Sequence, residues 1–199
     1  MAHHHTHTSK ASDLLRLLRA GKKPNIDGVS FSGLDLRGYD FQKLTLSRCN
    51  FHKACLTGSN LSGAFLVESD FSGADLSNSN LHGANLKKAN LKGALLSGAD
   101  LSSANLQESD LTKADLARAS LGRANLTHAK MTHANLKEAS LSFADLTDTN
   151  LHSADMRSAV LIGTNLTNAD LRKANLEGAT HSKAQFSGAK LEGALGYSA

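Results

Sequence analysis

Tryptophan is absent, proline occurs once, cysteine twice, and aromatic residues make up only 5% of the 199-residue chain. So few aromatics exclude an aromatic-rich globular core, and 20% charged residues exclude a disordered polyelectrolyte. Two cysteines do not make a disulfide framework. No apolar run approaches the ~20 residues that span a bilayer. The longest leucine cluster, Leu14 to Leu18, is too short for a signal-peptide core. The expectation is a cytoplasmic chain with no membrane partner, long enough for one domain or one array of repeats.

Charge of one sign is also scarce once the leader is set aside. Lys10, Arg16, Arg19, Lys22 and Lys23 precede residue 26 and are opposed only by Asp13, which accounts for the whole formal excess of +4. From Ile26 onward 17 basic residues meet 17 acidic ones. A nucleic-acid binder concentrates basic charge on its working face, so no nucleic-acid partner is expected.

What is present is a repeat. From Ile26 to Leu191 every fifth residue, 34 positions in all, is Leu, Phe, Met or Ile, with His181 the one exception. Call this position i. Position i−2 is Ala, Ser or Thr from Ala54 to Ala194, position i−1 is mostly Asp or Asn, and position i+2 is often Gly, as at Gly58, Gly63 and Gly73. A period of five fits neither a helix nor a plain strand. In an extended segment, however, i−2 and i face the same way and the intervening Asp or Asn faces solvent. The remaining two residues have turn chemistry. Each unit is therefore one short extended side and one corner, and repetition coils the chain around an interior of Leu, Phe and Ala. A second large side chain per unit would overfill that interior.

Units such as Ala74-Asp75-Leu76-Ser77-Asn78, Ala84-Asn85-Leu86-Lys87-Lys88 and Ala174-Asn175-Leu176-Glu177-Gly178 resemble the A(D/N)LxX motif of the pentapeptide-repeat family, in register over residues 26–195. The resemblance implies an all-β solenoid, a right-handed quadrilateral β-helix with four units, or 20 residues, per coil. Phe31, Phe51 and Phe71, spaced by 20, would then stack on one interior face. At ~4.8 Å per stacked strand the array would be roughly 40 Å long.

The ends differ from the middle. Ser12 is placed to cap a short helix over about residues 12–20, with Asp13 in its first turn and Gly21 ending it. Pro24 then begins the array where no ladder hydrogen bond is yet required. Position i−2 is bulky here, at Val29, Leu34, Tyr39 and Leu44, which reads as a wider first coil sealed by the helix. The expected organisation is a disordered, tag-like leader 1–9, a capping helix region 10–23, the array 24–195 and a tail 196–199. The stretch Asp13 to Lys22 resembles leaders of cyanobacterial family members. At the far end, either Leu195 and Tyr197 fold over the last coil or that end meets another molecule, leaving a monomer or a dimer through the C-terminal coil as the alternatives.

Candidate chemistry is sparse. The His3-His4-His5-Thr6-His7 tract reads as an expression-tag remnant. His128, His133 and His152 fall on neighbouring coils at outward corners without a cysteine, which does not meet the three or four convergent ligands a zinc site needs. His181 is inward in the last full coil. Cys49 is inward and Cys55 outward, so they are not expected to bridge. The Asp and Asn residues recur with the fold and read as groups that hydrogen-bond corner backbone, not as paired acid and base. No catalytic residue, metal ligand or cofactor is expected, and the chain is not expected to be an enzyme.

Two functions remain. The first is a scaffold for protein–protein interaction, with regulation among its uses, as the family resemblance implies. The alternative is a DNA-mimic inhibitor or protector of type II topoisomerase resembling the quinolone-resistance members, which depend on a strongly acidic surface that this array lacks. Outward positions are nearly all polar or small, so the exceptions mark a candidate protein-binding patch: Phe143, Val160 and Ile162, with Gly163 stacked over Phe143 and Ser120, Gly122, Ser140, Ser142, Thr180 and Ser182 around them. Phe65 and Val67 form a smaller patch on the adjacent face.

Overall fold

Neither glycine nor proline interrupts residues 3–20, so nothing local stops a helix before Gly21. The structure, a computed structural model, describes residues 3–197, with side chains described from Lys10 onward. Helix α1 spans His3–Arg19. It begins well before Ser12, so Ser12 lies inside it and does not cap it, and Asp13 is not in its first turn. The leader expected to be disordered is helical from His3; Met1, Ala2 and the side chains of residues 3–9 lie outside the described residues. The stop is where glycine puts it. The Lys22 N–H donates to the Leu17 carbonyl (3.0 Å) and the Gly21 N–H to the Leu18 carbonyl (2.9 Å), with Gly21 at φ 71°, a Schellman arrangement. Ala11, Leu14, Leu15 and Leu18 share one helical face and pack on the array, Ala11 fully buried. The Arg19 guanidinium lies 5.0 Å from the centre of the Tyr39 ring, and Lys23 pairs with Asp40 at 2.7 Å.

Beyond Pro24 the chain stacks on itself every 20 residues. Ser30 pairs in parallel with Asn50, Asp35 with Cys55, Asp40 with Asn60 and Thr45 with Phe65, and the same offset continues to Asn175 and Leu195. Four bridges recur per 20-residue coil. Each is a single residue, and no longer strand forms among the described residues. The expected extended sides are thus reduced to one paired residue, because a turn follows too soon for pairing to spread.

Satisfaction of the backbone explains the composition of a unit. In the unit around Leu76, the Leu76 N–H donates to the Leu95 carbonyl (2.7 Å) and the Asn78 N–H to the Ser97 carbonyl (2.9 Å) of the next coil. The Asn80 N–H donates back to the Ser59 carbonyl (2.9 Å), and the Ser79 N–H closes the turn on the Leu76 carbonyl (3.1 Å). One donor is left, the Ser77 N–H, and the Asp75 side chain accepts it at 3.0 Å. Asp and Asn at i−1 are therefore structural acceptors for the first corner amide. The second corner residue has positive φ in every unit from Gly28 to Gly193, 21 of them not glycine, as a type II turn requires.

The interior is solid. Every i residue from Ile26 to Leu176 is buried, and the i−2 residues between them are Ala, Ser or Thr from Ala54 on. Phe31, Phe51 and Phe71 stack as the spacing predicts, with centroids 5.2 and 4.6 Å apart. In the first coil Val29 and Leu44 are buried while Leu34 and Tyr39 are half-buried and packed against the core. In the last coil His181, Phe186 and Leu191 are half-buried. Tyr197 folds onto that coil, its ring 4.9 Å from Phe186, whereas Leu195 stays exposed; Ser198 and Ala199 lie outside the described residues.

Candidate functional site

A core filled by its own side chains leaves only the outer surface for recognition. Much of the acidic charge there is engaged locally. Arg37 forks onto Asp35, Arg157 onto Asp155 and Arg172 onto Asp170, each pair two residues apart with a 2.6 Å contact to the second carboxylate oxygen. The hydrogen bonds from Arg37 and Arg172 hold the Asp35 and Asp170 carboxyls down to about 2, and Arg157 acts on Asp155 in the same direction. Such carboxylates are corner braces, and none is poised as an acid.

The histidines separate. His128 faces Asp148 at 3.8 Å on one corner. His133 and His152 stand on another, rings 6.3 Å apart and edge to face, with His152 Nδ1 3.1 Å from Ser153 Oγ. Among the described residues no three His, Cys, Asp or Glu side chains converge as a metal site would need. His181 packs edge-on against Phe186 at 5.9 Å. Cys49 and Cys55 are free; burial pushes the Cys49 thiol up to about 11, and the Cys55 sulfur lies 3.5 Å from Thr57 Oγ1.

Phe143 is 59% exposed and Ile162 36%, with Val160 half-buried at the bridge position between Ser140 and Thr180. The Phe143 N–H donates to the Ile162 carbonyl at 2.9 Å, which ties the two corners together. Phe143 sits at φ 60°, and it alone among the 21 non-glycine residues with positive φ is apolar. Its ring lies over Gly163, where an added Cβ would stand 2.6 Å from Phe143 Cε1. Glycine at 163 thus serves both the turn and the ring. The sequence reading missed Arg123, whose guanidinium lies 5.7 Å from the Phe143 ring centre and gives the strip a cationic margin. Its signal was the 20-residue offset from Phe143.

The same face departs from the backbone rule of the fold. In its lower coils the first corner amides of Gln42, Ser62, His82 and Ser102 donate to Asp40, Asn60, Asn80 and Asp100. In the next four coils the bridge residues are Ser120, Ser140, Val160 and Thr180. The amides of Gly122, Ser142, Ile162 and Ser182 have no acceptor among the described residues. Elsewhere the gaps are isolated, except for a run of three in the first coils, the amides of Asp27, Ser47 and Val67, in which the pair Thr45 and Phe65 stands at the bridge. The smaller patch lies at that pair, Phe65 exposed and Val67 half-buried. Leu95, exposed on another face, marks an isolated gap that the sequence reading did not single out.

A stack of five-residue units with Leu or Phe inside and, in most units, Asp or Asn at the bridge defines a repeat protein. The chain belongs to the pentapeptide-repeat family: the model for pentapeptide repeats matches it in eight copies over residues 25–63, 54–93, 94–132, 119–157 and 159–195. Among solved structures it is similar to HetL, a pentapeptide repeat protein involved in heterocyst differentiation regulation from the cyanobacterium Nostoc sp. strain PCC 7120. The identity is 30% over 94% of this chain and 98% of that one, with a TM-score of 0.39. A pentapeptide repeat protein of the Arabidopsis thaliana thylakoid lumen is 32% identical over 51% of this chain and 68% of its own, TM-score 0.39. A form of QnrB1, a plasmid-mediated fluoroquinolone resistance protein, is 25% identical over 85% and 73%, TM-score 0.44. No curated protein matches the chain. No helix among the described residues is long and apolar enough to cross a membrane.

Proposed function

We propose that the chain is a non-enzymatic scaffold, a right-handed quadrilateral β-helix that binds a protein partner through its outer surface, with a regulatory role, and that Phe143, Val160 and Ile162 anchor the contact. The observation that supports this reading best is the pairing of a closed interior with one strained, exposed aromatic for which a glycine makes room. An exposed aromatic beside aliphatic neighbours is the composition of an interface anchor. Polar replacement of both outer side chains tests it. The Phe143→Ser, Ile162→Ser variant is expected to lose the partner captured by the wild-type protein while its melting profile stays nearly unchanged. Lys92→Ala, on another corner, is expected to change neither. Capture undiminished by the double variant would retire the patch.

The DNA-mimic alternative makes a separate prediction. Imitation of a duplex needs a strongly negative surface, and here 17 acidic residues are matched by 17 basic ones. No inhibition of supercoiling by a type II topoisomerase is expected at concentrations where an acidic family member acts. Clear inhibition would promote that alternative over the scaffold.

A further inference from the structure

Four successive coils on the Phe143 face leave their first corner amides without an acceptor, where the coils beneath supply one from Asp or Asn. These amides, of Gly122, Ser142, Ile162 and Ser182, recur once per coil, about 4.8 Å apart. We propose that this row, with the apolar ridge beside it, docks an acidic segment of the protein partner that carries an apolar side chain. The partner's carboxylates take the acceptor positions that Asp and Asn fill elsewhere in the array. The inference rests on the reading that a partner binds at Phe143, Val160 and Ile162, and adds its chemistry.

Charge points the same way. Arg123 and Lys183 stand at the corner on either side of the ridge, and among the described residues neither forms an ion pair. That corner column also holds Lys43 and His82 and no acidic residue. Backbone amides backed by unpaired cations favour carboxylate oxygens, and such bonds are stronger than neutral ones. Shape adds a third line. Gly122 is the one glycine of the chain without positive φ, so its backbone does not demand glycine. An added Cβ there would meet only the Ser142 carbonyl, at an ordinary 3.6 Å. With no side chain at Gly122, the surface beside Arg123 and beneath Ser142, two coils under Ile162, is open to a partner's apolar group. Nucleic acid fits less well: two cations over four coils, with Asp100 and Asp145 at the margins, do not make a phosphate track.

Fluorescence polarisation with labelled synthetic peptides tests this. The peptides share an apolar centre and differ in Asp-rich, neutral or Lys-rich flanks, and a single-stranded oligonucleotide serves as a further probe. The Asp-rich peptide is expected to bind the wild-type protein about tenfold or more tighter than the neutral one. Ser120→Asn with Ser140→Asn restores the acceptors in the chain itself, as Asn60 and Asn80 supply them below, without stacking new carboxylates on Asp100. It should therefore preserve or raise thermal stability while weakening the Asp-rich peptide about tenfold or more. Equal affinity for neutral or Lys-rich peptides, tighter binding of the oligonucleotide, or indifference to the restored acceptors would each overturn the proposal. The partner protein separates the two readings. Loss with Phe143→Ser, Ile162→Ser but not with Ser120→Asn, Ser140→Asn keeps the patch and overturns its acidic occupant, whereas indifference to both variants overturns both.

Discussion

Leu116→Arg is expected to destabilise the array by about 4 kcal/mol or more, because it sets an unpaired charge among fully buried neighbours. Leu116 has no exposed surface, and its amide donates to the Asn135 carbonyl of the next coil at 2.7 Å. No acid lies inside to meet a guanidinium, and the long side chain cannot reach solvent through a wall of backbone ladders. Asp115→Ala, one residue away, is the control. It removes an acceptor for the Ala117 N–H (3.1 Å) and for Asn135 Nδ2 (2.9 Å), both part-buried on the outer side of the coil where water can replace it. Its cost should be about 1 kcal/mol. Chemical denaturation measures the difference, and limited proteolysis locates it, since each coil depends chiefly on its two neighbours. Equal stability of the two variants would contradict the assignment of inside and outside.

Ala104→Leu should cost about 1–3 kcal/mol by overfilling a closed coil. Ala104 is buried in line with Leu101 and Leu106, and the coils above and below are equally full. Ala104→Ser should be nearly neutral. Serine already occupies this position at 59, 69, 79 and 109; at 59, 69 and 109 its hydroxyl donates to a backbone carbonyl at 2.6, 2.8 and 2.7 Å, and at 79 the buried hydroxyl is tolerated without a partner. Bulk at the same position is accepted in the first coil because Leu34 and Tyr39 are only half-buried there, under α1 and not under another coil. A melting temperature of Ala104→Leu equal to wild type would show that the interior has slack which the buried positions do not suggest.

The residues show why the repeat was legible and the site only partly so. A period of five repeats the same local demand at each unit: a large core residue, two corner residues, a small residue and an acceptor. The inward direction of Leu116 or Ala104 therefore follows from position alone. Helix α1 was harder. Ser12 is a good cap in isolation, but no breaker precedes it, so the helix continues back to His3. At the site, Phe143, Val160 and Ile162 stood out as apolar residues in a polar series. Arg123 did not, because one cation in a balanced surface carries no local signal. The replacement of Asp or Asn by Ser120, Ser140, Val160 and Thr180 was also in the sequence. Its meaning needed the hydrogen bonds, which show that where Asp or Asn stands at the bridge its side chain accepts the first corner amide.

The sequence by itself determined which residues are inside, which turn, and the family, because burial and turn chemistry are decided within each five-residue unit. Only the tertiary structure decided what stands next to what across coils. The bridges join residues 20 apart, so the Arg123–Phe143–Gly163 stack, the separation of His128 from His133 and His152, and the column of four free amides all depend on how many units close one turn. That number is set by how the large side chains fill the space between opposite walls, a packing condition that no single unit contains.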